Sequence, residues 1–209
     1  MSHSRQPYRE TPLLCYSYSL IAPLYDLVIE WPMRETRLRS LRGLLTDKAG
    51  KVLLSGVGTG LDLPALPALH HYVALDFNAA MLSRARPRGA KLHVDWVLGD
   101  SMALPFADAQ FDHVVLHLIV AVVPQPEECL REAARVLKPG GTIILFDKFL
   151  RPQQSAWLRR ALNPLTRHFA TRMDVVFEKV LRAAPELEVI SDVPMLAGGW
   201  FRGIVLRKT

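Results

Sequence analysis

From Lys51 onward, short β-branched runs alternate with stretches whose apolar residues recur every three or four positions, a pattern that predicts a parallel sheet with crossover helices. Strands are expected at 51–55, 72–76, 93–97, 113–118 and 142–147. Between the last two, Cys129, Leu130, Ala133, Val136 and Leu137 share one face of a predicted helix over 127–137, with charged residues on the other. Lys138-Pro139-Gly140-Gly141 should end that helix, because proline cannot continue it and glycine turns freely with positive φ. A further helix is predicted over 174–184, then an antiparallel pair over 187–193 and 200–207 around Gly198 and Gly199. Residues 16–44 read as one or two helices interrupted by Pro23 and Pro32, and Pro64 and Pro67 should leave the segment after the first strand short or irregular. The expected organisation is a single domain over 1–209: a helical cap over 1–50, an α/β core over 51–148, and a basic helical segment with the terminal hairpin over 149–209.

The sharpest local feature is Lys51-Val-Leu-Leu-Ser-Gly-Val-Gly-Thr-Gly60, an apolar strand that runs into alternate glycines. Glycine is needed where a backbone turns tightly and a ligand approaches closer than a Cβ allows. Asp76 ends the second strand, where a carboxylate can accept from both hydroxyls of a ribose. Together they indicate a nucleoside cofactor at the carboxyl ends of the strands. A dinucleotide fingerprint would place its third glycine at position 61, but Leu61 stands there and Gly60 comes one residue early. Too few residues follow the sheet for a dehydrogenase's catalytic domain.

These residues resemble a class I S-adenosylmethionine-dependent methyltransferase, and the resemblance spans residues 18–149. It rests on Tyr25-Asp26, the Gly-Val-Gly-Thr-Gly loop, Leu75-Asp-Phe-Asn-Ala-Ala-Met-Leu82, Gly99-Asp-Ser-Met-Ala-Leu-Pro-Phe106, Phe111-Asp112 and Arg135-Val-Leu-Lys-Pro-Gly-Gly141. Within the class the chain is most similar to bacterial phosphatidylethanolamine N-methyltransferases and quinone C-methyltransferases, with Val122-Val-Pro-Gln-Pro126 and Asp147-Lys-Phe149 closest to the phospholipid enzymes. The resemblance implies a Rossmann-like α/β fold: a seven-stranded, mostly parallel sheet with an antiparallel C-terminal hairpin and an N-terminal helical cap. It implies S-adenosyl-L-methionine as cofactor. Gly56, Gly58 and Gly60 would pass under its methionine part, Asp76 would hold the ribose, and Phe77 and Met102 would sandwich the adenine. Asp100, beside Ser101, would accept from the adenine amino group, Leu116 would line the sulfonium end, and Tyr25 would close over the site from the cap. The family usually carries an acid two places before the first loop glycine to help hold the methionine amino group. Leu54 stands there instead, and Ser55 cannot replace the acid because neighbouring strand side chains point to opposite faces.

Transfer from a sulfonium needs alignment above all, and a proton acceptor where the nucleophile carries a proton. His117, at the end of the fourth strand, is the candidate base, against the alternative of a buried histidine bonded to backbone. Asp147 and Lys148 read as an internal ion pair or a solvated turn, Tyr16 and Tyr18 as cap packing, and His70-His71 as a surface loop. No metal site is expected.

Charge then narrows the choice of partner. The chain has 26 basic and 20 acidic residues in 209, for a net +6. Residues 51–148 balance to −1 and 1–50 to +2, while 149–209 carry +5. The excess belongs to the segment that would cover the acceptor. There Trp157, Leu158, Leu162, Leu165 and Phe169 share a helical face among Arg159, Arg160, Arg167 and Arg172, so 151–172 read either as an anionic-membrane contact or as a core-facing helix with solvated arginines. No apolar run approaches a membrane span, the start lacks a secretory pattern, and Cys15 and Cys129 form no disulfide framework; a cytoplasmic protein, peripheral to the inner membrane face if the contact is real, is expected. The acceptor is expected to be a small molecule or lipid, a phospholipid amine or a quinone-like compound. No Asn-Pro-Pro-Tyr type motif follows the fourth strand, which speaks against nucleic acid. Two rival readings stay open: a non-catalytic cofactor-binding protein, and an RNA methyltransferase. Sequence leaves the oligomeric state undetermined.

Overall fold

The structure, a computed structural model, describes residues 33–44, 48–150 and 175–209. Tyr16, Tyr18, Tyr25, Cys15 and the basic segment 151–172 lie outside the described residues. Seven strands form one sheet: β1 (Lys51–Ser55), β2 (His71–Asp76), β3 (His93–Leu98), β4 (Phe111–His117), β5 (Leu137–Lys148), β6 (Leu187–Leu196) and β7 (Phe201–Lys208). Their order is β3-β2-β1-β4-β5-β7-β6. The first five run parallel, and β7 inserts antiparallel between β5 and β6.

Both faces of the central strands are covered, which is why β1 reads as an unbroken apolar run rather than an alternating one. On one face Leu53, Val114, Leu116, Ile143 and Leu145 pack with Cys129, Leu130 and Ala133 of helix α3 (Pro126–Val136). On the other, Val52, Leu54, Val115 and Ile144 meet Leu41 and Leu44 from the turn Leu41–Leu44, which continues helix α1 (residues 33–40) of the cap. Helix α2 (Ala79–Ala85) starts from Asn78, whose side chain accepts from the backbone N–H of Ala80 at 2.9 Å and of Met81 at 3.4 Å. After β1 the chain makes only a 3-10 turn, Leu63–Ala65, as its prolines require.

Three expectations are corrected. Helix α3 stops at Val136, and Leu137 already pairs with Phe111 as the first residue of β5. The Lys138–Gly141 excursion is therefore an irregularity inside β5, with register passing from Phe111–Leu137 to His113–Thr142. The helix predicted over 174–184 is reduced to α4 (Phe177–Leu181), because β-branched Val175 and Val176 stay extended and Val176 bridges to Leu150. His70 is not in a surface loop: it is buried, its Nδ1 accepts from Gly50 N–H at 3.1 Å, and its Nε2 meets the Leu44 carbonyl at 2.9 Å. Those bonds tie the cap turn to the start of β2.

Candidate cofactor cleft

Strand β1 has β2 on one side and β4 on the other, so the chain leaves β1 and β4 toward opposite faces and opens a crevice at their carboxyl ends. A cleft of about 770 Å³, including its open mouth, lies there. Its floor is Gly56, Val57, Gly58 and Thr59; one end holds Asp76, Phe77, Asn78 and Met81, and the other Arg37, Asp62 and His117. Leu118, Ile119 and Val122 form an apolar wall.

The loop glycines have different duties. Gly56 and Gly58 both take positive φ, at 73° and 57°. A Cβ on Gly56 would meet Ile119 at 2.7 Å, whereas one on Gly58 would meet nothing within 4 Å and would stand in open space. Gly58 is thus where a ligand can lie directly on backbone. Gly60 does not line the cleft: its absent Cβ makes room for Leu63 and Ala85, so it serves the packing of the loop on α2.

Asp76 is 5% exposed. Its Oδ2 accepts from Gly58 N–H at 2.8 Å and its Oδ1 from Asn78 N–H at 2.9 Å, which fixes the carboxylate against the glycine loop. Burial raises its pKa above the ordinary carboxylate value, and the backbone donors only partly offset this. Phe77 lines the cleft beside Asp76 and is 40% exposed.

At the far end, Asp62 receives Arg37 Nε on Oδ1 at 2.9 Å and faces His117 Nδ1 through Oδ2 at 3.0 Å. Burial works to raise the Asp62 pKa, but the neighbouring His117 and Arg37 outweigh it and hold the carboxyl well below its usual range. A carboxylate only accepts, so His117 Nδ1 carries a proton and donates to Asp62, while Nε2 lies 3.0 Å from Ser40 Oγ, whose hydroxyl donates to the Arg37 carbonyl at 2.8 Å. The expected alternative for His117, bonding to backbone, is not what is seen; its partners are side chains of the loop after β1 and of the cap.

Other expected site residues stand elsewhere. Leu116 is fully buried in the core and does not line the cleft, because its neighbour His117 takes the opposite face. Met102 packs against the core, and neither it nor Asp100 nor Ser101 is among the cleft-lining residues. Asp100 Oδ1 accepts from Met102 N–H at 2.8 Å, and Ser55 Oγ donates to Ser101 Oγ at 2.8 Å, so the loop after β3 is pinned beneath the glycine loop. Asp147 is fully buried and accepts from the N–H groups of Ala121 and Lys148 at 2.9 and 2.7 Å; it holds the loop that carries Ile119 and Val122. His71, His93 and Asp95 gather donor atoms within 4.8 Å on β2 and β3, a cross-strand grouping that linear spacing hides. A 2.8 Å His71–Asp95 contact and stacking of the two imidazoles account for it.

The glycine floor, the acid that ends β2 and the aromatic that follows it fit a nucleoside cofactor. A family model described as "Methyltransferase domain" matches residues 53–145. A phosphatidylethanolamine N-methyltransferase of Cereibacter sphaeroides is 35% identical over 187 residues, 85% of this chain and 89% of that protein. The chain belongs to the S-adenosylmethionine-dependent methyltransferases. A demethylmenaquinone methyltransferase of Renibacterium salmoninarum is 31% identical, with 82% of this chain and 77% of that protein covered. Among solved structures, the [4+2]-cyclase SpnF matches with a TM-score of 0.70 at 18% identity, over 93% of this chain and 95% of that one. Geranyl diphosphate C-methyltransferase of Streptomyces coelicolor, in a structure with S-adenosyl-L-homocysteine, matches with a TM-score of 0.66 at 16% identity, over 84% and 76%. These two likenesses concern the fold. The methyltransferase's cofactor is S-adenosylmethionine.

Arg37, Asp62 and the wall residues were missed at the sequence level. Asp62 had a signal: with Leu54 where an acid is customary, it is the first acid after the glycine loop. Arg37 had none, because only the folded cap brings it to a residue 25 positions away.

Proposed function

We propose that this methyltransferase acts on the amine of a phospholipid head group. What supports the choice of acceptor is the likeness to the phosphatidylethanolamine enzyme over 89% of that protein's length, with the apolar Leu118–Val122 wall beside the charged end of the cleft. The bound cofactor supplies an activated methyl on sulfur, and the protein's task is alignment. Gly56 and Gly58 form the bed, Asp76 accepts from the ribose hydroxyls, and Phe77 covers the base. Tyr25 is assigned to the lid.

A protonated head-group amine has no lone pair to offer. We assign its uptake to His117 Nε2, in exchange for the contact with Ser40, while Asp62 holds Nδ1 and fixes the ring. A cofactor held by these residues would supply the methyl carbon to the freed nitrogen, its sulfur keeping the electron pair of the broken bond. Residues 151–172 are assigned to seating the protein on anionic lipid. No helix among the described residues is long and apolar enough to cross a membrane.

The test is a cell extract supplied with S-adenosylmethionine labelled in the methyl group. Label should enter the organic-solvent phase and comigrate with N-methylated phospholipid. Label on a quinone would move the acceptor to the other group of relatives, label in RNA would refute the lipid reading, and absence of transfer by protein that binds the cofactor would favour a binding protein without catalysis.

A further inference from the structure

We propose that Arg37 and Asp62 together recognise the amino-acid end of the cofactor, so that the cap helix and the loop after β1 supply what the strand itself lacks. The inference rests on the cofactor assignment above and concerns which groups select it. S-adenosylmethionine carries an ammonium and a carboxylate at the end remote from its adenine, and a site that discriminates for it must offer an anion and a cation there.

Strand β1 offers neither. Leu54 is 3% exposed in the core cluster with Val115 and Ile144, and Ser55 is buried on the other face against Ser101. Asp76 stands at the end of β2, two strand spacings or about 10 Å from the end of β4, with both oxygens on the glycine loop and Asn78. Among the described residues, the end of the cleft at β4 has one carboxylate, Asp62, and one guanidinium, Arg37, each side chain 11% exposed and both lining the cleft. His117 shares the Val115 face of β4, so the group sits one layer above Leu54.

The inventory of donors and acceptors suits two tasks at once. A carboxylate offers about four lone-pair sites, and Arg37 Nε and His117 Nδ1 take one on each oxygen, so Asp62 has further lone pairs for an ammonium. Arg37 approaches Asp62 through Nε, and its Nη groups form the fork that suits a carboxylate. Asp62 is held ionised by its neighbours, as an ammonium receptor must be. Because Arg37 belongs to α1, engagement of the cofactor's carboxylate would also fasten α1 to the cleft.

Calorimetry with two ligands tests this. S-adenosylhomocysteine has the amino-acid group; 5′-methylthioadenosine has the same nucleoside and sulfur without it. The native protein should prefer the former. Arg37→Gln and Asp62→Asn should each weaken S-adenosylhomocysteine about tenfold or more while methylthioadenosine changes less than about twofold, with Arg37→Lys retaining part of the preference. Equal losses for both ligands would make the pair a structural brace, and unchanged affinity for S-adenosylhomocysteine would place its amino-acid end elsewhere; either result overturns the proposal. Thermal melts of each variant identify any that fails to fold, and Arg37→Lys or Asp62→Glu then takes its place. Failure of the native protein to bind either ligand would sink the cofactor assignment, an outcome distinct from loss of discrimination.

Discussion

Asp76 faces two demands that oppose each other. Its burial penalises the ionised form, yet a ribose is held best by that same form, which accepts from both hydroxyls. Cofactor binding should therefore weaken as pH falls from neutral through the raised Asp76 pKa, because protonation removes the acceptor. Calorimetry with S-adenosylhomocysteine across that range would show it. Asp76→Asn should bind about a hundredfold more weakly at neutral pH, as expected for two charge-assisted hydrogen bonds, and should lose this part of the pH dependence. The glycines divide similarly. Gly58→Ala meets no atom of the described residues, so it should cost only about 1 kcal/mol of stability, from its positive φ, while its methyl stands in the ligand's space and abolishes binding. Gly56→Ala collides with Ile119 and should lower the melting temperature further. Paired melts and titrations separate the two. At this scale what the sequence made legible is position: Gly56, Gly58, Asp76, Phe77 and His117 each end or follow a strand, and all five line the cleft. Leu116 was misplaced for a physical reason: once His117 faces the cleft, the strand's alternation turns Leu116 into the core.

Among the elements, strands were read more closely than helices. β1 has its expected bounds because its buried run stops at the glycine loop. α3 keeps its expected length but sits one residue earlier, and α4 is shorter, because residues with helical spacing, Leu137 in one and Val175 and Val176 in the other, pair with strands or extended chain instead. The terminal hairpin is fastened by a buried cation that periodicity does not reveal. Arg202 of β7, 3% exposed, donates from Nε to Asp192 of β6 at 3.0 Å and from Nη2 to Glu178 of α4 at 2.9 Å, over the Phe177 ring. Removing it strands two carboxylates. Arg202→Ala should destabilise the fold by about 3 kcal/mol, the lower end for a broken buried network because the carboxylate side chains stay 31% and 37% exposed. Chemical denaturation would measure this, and S-adenosylhomocysteine affinity of the folded variant should stay as it was.

For the molecule as a whole, the charge that looked like a general hint about partners has a definite place. The cofactor sheet is nearly neutral, and the excess lies in the stretch 149–209, whose basic part we assign to an anionic surface. Helix α1 is tied to the cleft by Arg37 and Ser40, so the proposed amino-acid end of the cofactor and the candidate base meet at one place. The relatives divide between phospholipid and quinone acceptors, and one competition decides between them. Purified protein is given S-adenosylmethionine and vesicles that contain phosphatidylethanolamine and demethylmenaquinone together, and the products are read by mass spectrometry. The account predicts a mass gain of one methylene on phosphatidylethanolamine and none on the quinone; methylation of the quinone alone, or of neither by protein that binds the cofactor, would contradict it.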